Sequence, residues 1–227
     1  PLESVCSWIT QGPNPKFVDY ESVASLTGRN ISKGFIAPEG ADQVSDAEYL
    51  NLKRFKIRKN DIFITLKGAG STGKTALLVS PFKGIFSRNI GLIRLRNETT
   101  LTITPELLYS YLSSQLGQKL IDRGVTGGTG QLTLPTAYLK MLPIPRFGKN
   151  LIQRITSLVK KSSSELRNSQ QLQSQAEQAL LSALNLDNWQ PPAPLTYEAS
   201  ANRAFTARRL DAEFFQPPLE RVGACVP

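Results

Sequence analysis

The chain has 227 residues, 40% of them apolar, enough for one compact domain with an appendage or for two small domains. A mean hydropathy of -0.21, with no apolar run approaching a membrane span, excludes an integral membrane helix, and the absence of histidine removes His-based zinc sites, Ser-His-Asp triads and Cys-His pairs. Lys and Arg outnumber Asp and Glu by 27 to 18, a formal +9, and an excess of that size points to a polyanion partner.

The opening "PLESVCSWIT" lacks a basic segment followed by an apolar one, so it does not read as a signal peptide. A start without Met is expected of a chain cut from a longer one or processed. Cys6 and Cys225 sit near opposite ends of the sequence, which argues against a disulfide framework and for a cytoplasmic location. Residues 1–147 read as mixed α/β and hold most of the charge excess, 18 basic groups against 11 acidic. "FKIRKNDIFITLKG" alternates with a strand period at Phe55 and Ile57, then at Ile62 and Ile64 after a turn at Lys59-Asn60-Asp61. "KTALLVS" and "IGLIRLR" are further short strands. "TPELLYSYLSSQLGQKLIDRG" predicts one helix, with Thr104 as N-cap, Pro105 at its first position and an apolar face from Leu107 to Ile121 that includes Leu116. "QLTLPTAYLKML" predicts a turn into a short helix, and "PIP" closes the domain. Phe17, Phe35 and Tyr138 read as packed residues.

Residues 148–187 form a second region. No Pro or Gly occurs from about Asn150 to Ala183, which predicts one helix about 50 Å long. Its apolar residues make a narrow stripe: Ile152, Ile155, Val159 and Leu166, then Leu172 and Leu180 after a register slip. The middle is too polar for a buried helix, so the stripe is expected to pair with another helix along its length rather than to cap its own domain. Residues 188–227 begin with a "QPPAP" linker and end in the amphipathic "RRLDAEFFQPPLERVGACVP".

"GAGSTGKT", Gly68–Thr75, satisfies the P-loop pattern letter for letter and raises the alternative of a nucleotide-binding or nucleotide-hydrolysing protein. A working phosphate loop needs a helix starting at the Lys-Thr and a magnesium-holding acid at the end of a second apolar strand. Here Lys74-Thr75 leads into "ALLVSPFKG", which favours a strand, and "IGLIRLR" ends in Arg94 and Arg96. A glycine-rich hairpin explains the same letters. No [DNS]-P-P-[YF] tetrapeptide of an adenine methyltransferase occurs, and Asp42, Asp46 and Glu48 read as a solvated, helix-capping turn. The chain is expected to be non-catalytic and to hold no metal.

Taken in order, "LESVCSWITQGPNP", "NISKGFI", "IRKNDIFITLKGAGSTGKTALL", "NIGLIRLR", "TPELLYSYLSSQLGQKLI" and "GGTGQLTLPTAYLKMLPIPRF", followed by the long helix, resemble one target-recognition domain and its helix from a specificity (S) subunit of a type I restriction–modification system. The resemblance covers about residues 1–187, and "RRLDAEFFQP" is similar to the segment that precedes such a domain. It implies an α+β domain with a twisted mixed β-sheet and a few helices. It also implies reading of one half of a bipartite double-stranded DNA sequence, and a long helix that pairs as an antiparallel coiled coil. Methyltransferase subunits carrying S-adenosylmethionine, and a motor-nuclease subunit using ATP and magnesium, are the implied partners, with no cofactor on this chain. One domain and one helix stand where a full subunit has two of each. The chain is therefore a half-subunit that pairs with itself or part of a longer one, and a homodimer is the expectation. A basic module that only recruits a protein partner is the other reading.

Phosphate contacts position a DNA reader, and base-edge contacts specify. The run "KRFKIRK" offers Lys53, Arg54, Lys56, Arg58 and Lys59 as the electrostatic contribution. Candidates for base reading lie on loops, where polar side chains reach a groove. They are Lys33 in "SKGF", Lys67, Ser71, Thr72 and Lys74 in the glycine turn, Arg88 and Asn89 before the next strand, and Thr126, Thr129 and Gln131 in "TGGTGQ".

Overall fold

The computed structural model of the chain describes residues 1–32, 34, 36–68, 70–96, 103–128, 132–186 and 200–210. Lys33, Phe35, Thr129 and Gln131 lie outside these residues, as does most of 188–227. The chain divides into two compact units, Pro1–Ser164 and Glu165–Pro227.

In the first unit the strands run β1 (Cys6–Gln11), β2 (Phe17–Val18), β3 (Val23–Leu26), β4 (Asp42–Val44), β5 (Ile62–Thr65), β6 (Thr75–Leu77), β7 (Gly84–Phe86) and β8 (Ile90–Leu95). Where one sheet was expected there are two. The first has the order β1-β8-β5-β6 and is antiparallel throughout; the second has the order β2-β4-β3-β7, with β3 and β7 parallel. The helices are α1 (Asp46–Asn51), α2 (Pro105–Ser113), α3 (Gln115–Asp122), α4 (Thr136–Met141) and the start of α5 (Lys149–Ala183).

The layering follows from strand β5, all four of whose residues are buried. Ile62 and Ile64 face a core shared with Leu107, Leu108 and Leu112 of α2, while Phe63 faces Leu26 and Phe86 of the second sheet. A strand covered on both faces reads as a continuous apolar run rather than an alternation, which is what "IFIT" shows. The outer face of the second sheet closes over Val23, Val44 and Ile85 under Tyr49 and Leu52. Ser45 caps α1 by accepting from the Glu48 N–H at 3.2 Å, with Asp46 and Glu48 in the first turn.

Three local expectations are corrected. Phe55 and Ile57 belong to no strand: Lys53–Phe55 is a 3-10 turn, and Ile57 donates its N–H to the Gly84 carbonyl. The single helix expected after Thr104 is two, because Ser114 is extended (φ -68, ψ 159) and its hydroxyl caps α3 by accepting from the Gly117 N–H. A cap residue inside a helical pattern competes with the helix it interrupts. Leu116, counted on the apolar face, is therefore left 58% exposed. Phe17, read as core, is on a two-residue strand at the sheet edge and is exposed. Tyr138 is packed, its hydroxyl donating to the Leu120 carbonyl at 2.7 Å.

The first turns of α5 close the domain's own core, contrary to the reading of the whole stripe as a pairing surface. Ile152 is buried in the helix-side core, and Ile155 and Val159 pack against it. Thr156 shares a hydrogen bond with Thr104 at 2.7 Å, and Lys160 pairs with the nearly buried Glu106. From Glu165 onward, in the second unit, the stripe is different: Leu166, Leu172 and Leu180 are exposed. The helix ends where Asn185 turns left-handed (φ 54) and the Leu186 N–H returns to the Leu181 carbonyl at 2.8 Å, a Schellman-type stop. A further helix, α6 (Ala201–Ala207), is capped by Ser200. Among the described residues no helix is long and apolar enough to cross a membrane.

Candidate nucleic-acid interface

Gly68–Lys74 is the closed end of the antiparallel β5–β6 hairpin. Each N–H from Ser71 to Lys74 turns inward: Ser71 and Thr72 donate to the Gly68 carbonyl, Gly73 to the Thr65 carbonyl and Lys74 to the Ser71 carbonyl. The Thr65 hydroxyl accepts from the Lys74 N–H and donates to the Ser71 carbonyl. A phosphate cradle needs outward N–H groups at a helix start; this turn has its Ser71–Lys74 donors occupied and a strand after it. The P-loop reading fails on that geometry. Gly73 is left-handed (φ 86), and a Cβ there would lie 3.0 Å from Ile121. The turn thus lies close against α3, where Gln118 donates to the Gly73 carbonyl at 3.2 Å.

The hairpin end gathers several of the loop candidates. Lys67 is half-buried; its N–H meets the Asn89 carbonyl at 3.4 Å, and its backbone bridges to Thr133. Thr133 in turn exchanges both backbone hydrogen bonds with Thr126 at 2.8 Å. Lys67, Ser71, Thr72, Lys74, Arg88, Asn89 and Thr126 therefore come together at one end of the first sheet, from segments up to 59 positions apart in the chain (Lys67 to Thr126). Arg88 is exposed and Lys74 half-buried.

Sequence reasoning missed the residue that holds Arg88. Gln11, at the end of β1, donates from Nε2 to the Arg88 carbonyl at 2.6 Å. Next to it, Gly12 donates to the Ile90 carbonyl, and a Cβ at Gly12 would fall 2.3 Å from the Ser87 carbonyl oxygen. The "QG" of "WITQGPNP" is the available signal, a polar residue and a glycine ending a strand.

The run Lys53, Arg54, Lys56, Arg58 and Lys59 lies at the other end of β5, by the open end of the hairpin, where Asn60 donates to the Leu78 carbonyl. It is not a simple solvated strand face. Asp61, 1% exposed, takes a two-bond ion pair from Arg94 at 2.7 Å and the Arg58 N–H at 2.7 Å. Arg94 also donates to the Lys56 carbonyl. Cys6 is buried, and that burial pushes its thiol up to about 12, so it offers no thiolate nucleophile.

No protein-family model matches the sequence, and no curated protein matches it. Solved structures do. A type I restriction–modification S subunit from M. genitalium superposes with a TM-score of 0.52 at 17% identity, over 82% of this chain and 48% of that one. The fold is that of a type I specificity subunit. A chain from a type I restriction–modification complex (TM-score 0.48, 18% identity, 82% and 42% covered) and an HsdS subunit from Thermoanaerobacter tengcongensis (0.46, 16%, 87% and 50%) are also similar. The chain spans about half the length of these proteins.

Proposed function

We propose that this chain reads one half of a bipartite duplex DNA sequence, as the recognition half of a type I specificity subunit. The observation that carries the reading is the gathering of the glycine hairpin, Arg88-Asn89 and Thr126 at one end of a sheet, in a specificity-subunit fold. Arg, Asn and Lys side chains on such loops are the types that make paired contacts to guanine and adenine edges in the major groove, while the +9 of the chain supplies the sequence-independent attraction. The chain itself is non-catalytic. Methyltransferase subunits bring S-adenosylmethionine, and a motor-nuclease subunit brings ATP and magnesium. Self-association uses the exposed Leu166, Leu172 and Leu180, and gives a two-fold reader of two half-sites.

The test is binding of labelled duplex across a salt series, followed by selection of bound duplexes from a random pool with the methyltransferase partner present. Affinity is expected to fall on the order of a hundredfold between 50 and 200 mM salt if about four phosphates are neutralised, and the selected pool to converge on one sequence. Lys74→Ala is expected to change affinity or the selected bases, with no ATP turnover in either protein. A flat salt response with an unconverged pool refutes DNA reading, and ATP hydrolysis abolished by Lys74→Ala reinstates the phosphate loop.

A further inference from the structure

Trp8 faces away from the side its strand neighbour predicts. Cys6 and Trp8 are two residues apart on β1, so regular alternation places both on one face. A register irregularity between them leaves Cys6 in the helix-side core and Trp8 in the core between the sheets. Irregularities of this kind re-aim a side chain, and here the indole is delivered to the basic segment. The Arg54 Cζ lies 5.3 Å and the Arg94 Cζ 5.6 Å from its ring centroid, and the Phe55 ring is tilted against it at 5.6 Å. Arg54 also sits 5.6 Å from the Phe55 ring. Beside this stack, the Lys56 Nζ lies 4.1 Å and the Lys83 Nζ 5.5 Å from the Tyr49 centroid.

The cations differ in what balances them. Arg94 is neutralised by Asp61, and the pair holds the backbone at Lys56 and Arg58. Among the described residues no carboxylate forms an ion pair with Arg54, Lys56, Arg58 or Lys59. Unpaired cations close together in the chain favour a polyanion. The rings of Trp8, Phe55 and Tyr49 restrict Arg54 and Lys56 beforehand, which lowers the ordering cost of a contact.

We infer that this aromatic-braced face is a second DNA contact, taking the sugar-phosphate backbone of duplex outside the bases read at the hairpin end. The inference rests on the DNA-reading proposal above. Asp61 and Leu66 bracket β5, and five residue steps of strand separate the two ends by roughly 16 Å. Two contacts so separated touch different parts of a duplex that spans them. Backbone is favoured over base edges because Arg54, Lys56, Arg58 and Lys59 crowd four cations into six positions of chain, a density that suits phosphates, and phosphate contacts position without specifying. Trp8 is a positioning residue: it acts through Arg54.

The experiment measures anisotropy of a labelled duplex with the full chain across a salt series, and compares five proteins. They are the wild type, the Arg54→Ala/Arg58→Ala/Lys59→Ala triple variant, Trp8→Leu, Trp8→Phe, and the Lys74→Ala/Arg88→Ala double variant. Circular dichroism melts confirm which are folded. The triple variant is expected to lose affinity about tenfold or more at low salt, with a salt slope shallower by roughly 2 to 3 and unchanged selected bases. Trp8→Leu keeps every charge and is expected to weaken binding in the same sense; Trp8→Phe, which retains a ring, gives a smaller loss and serves alone if the leucine variant does not fold. The Lys74/Arg88 variant is expected to change the selected bases. Wild-type affinity and slope in the triple variant, while the wild type binds, overturn the second contact and leave base reading standing. Altered base selection in the triple variant overturns the division of roles. No binding by the wild type sinks the base-reading proposal itself.

Discussion

Arg94→Met tests how strongly a buried charge pair organises this domain. The guanidinium donates from Nε and Nη2 to the two Asp61 oxygens at 2.7 Å, and from Nη2 to the Lys56 carbonyl at 3.2 Å. Methionine replaces the aliphatic stem but none of these donors. Asp61, 1% exposed, is then a carboxylate whose one remaining partner among the described residues is the Arg58 N–H. Breaking a buried pair in this way costs about 3–5 kcal/mol, because the surviving charge is uncompensated. Against a total stability of about 5–15 kcal/mol, and with about 2–4 °C lost per kcal/mol for a chain of this size, the melting temperature should fall by roughly 6–20 °C. Asp61→Asn should cost less, since the Arg94 side chain is 15% exposed and its head can reach water. The Asp61→Asn/Arg94→Met double variant should fall short of the sum of the singles by about 1–3 kcal/mol. Urea titrations followed by circular dichroism measure all three. An Arg94→Met protein within about 0.5 kcal/mol of wild type, the range of an ordinary surface change, refutes the assignment of the pair as the brace of the basic segment.

Gly12→Ala should destabilise the domain by about 1–3 kcal/mol and weaken DNA binding, because the new Cβ meets the Ser87 carbonyl at 2.3 Å beside Arg88; an unchanged melt and affinity count against that packing. Leu172→Lys with Leu180→Lys should turn a dimer into a monomer by light scattering without moving the domain's melting temperature, whereas Ile152→Lys, at a position buried in the core, should cost about 2–5 kcal/mol of stability. A wild type that is already monomeric refutes self-association through these leucines. Burial raises the Cys6 thiol from 9.0 to about 12, so the unfolded chain ionises first; stability should be unaffected by this group below pH 9 and fall as pH rises toward 12. A Cys225→Ser protein whose urea midpoint stays level over that range, relative to the same protein with Cys6→Ala, contradicts it, as does ready labelling of Cys6 by a thiol reagent in the native state.

Much of the fold was legible where local chemistry and tertiary packing agree. The long uninterrupted helix, the Thr104-Pro105 helix start and the β5 and β8 strands follow from capping, breakers and apolar runs, and these act over a few residues. The glycine turn was readable as a hairpin because Lys74-Thr75 leads into residues that favour a strand. The ordered motifs also carried the specificity-subunit resemblance, whose fold the M. genitalium S subunit shares. What the sequence could not decide were the partners of each surface. Ile152, Ile155 and Leu166 belong to one stripe by periodicity, yet only contact with Leu107 and its neighbours determines that the first two face the domain's own core and the third faces solvent. The same holds for Ser114, whose capping hydroxyl breaks a helix that the apolar pattern continues. It holds also for Trp8, where one irregularity in pairing with β8 exchanges the faces of the sheet. Periodicity records which residues share a side; what covers that side is set by chain segments up to ninety positions away, such as Arg96 donating to the Cys6 carbonyl, and only the folded molecule brings them there.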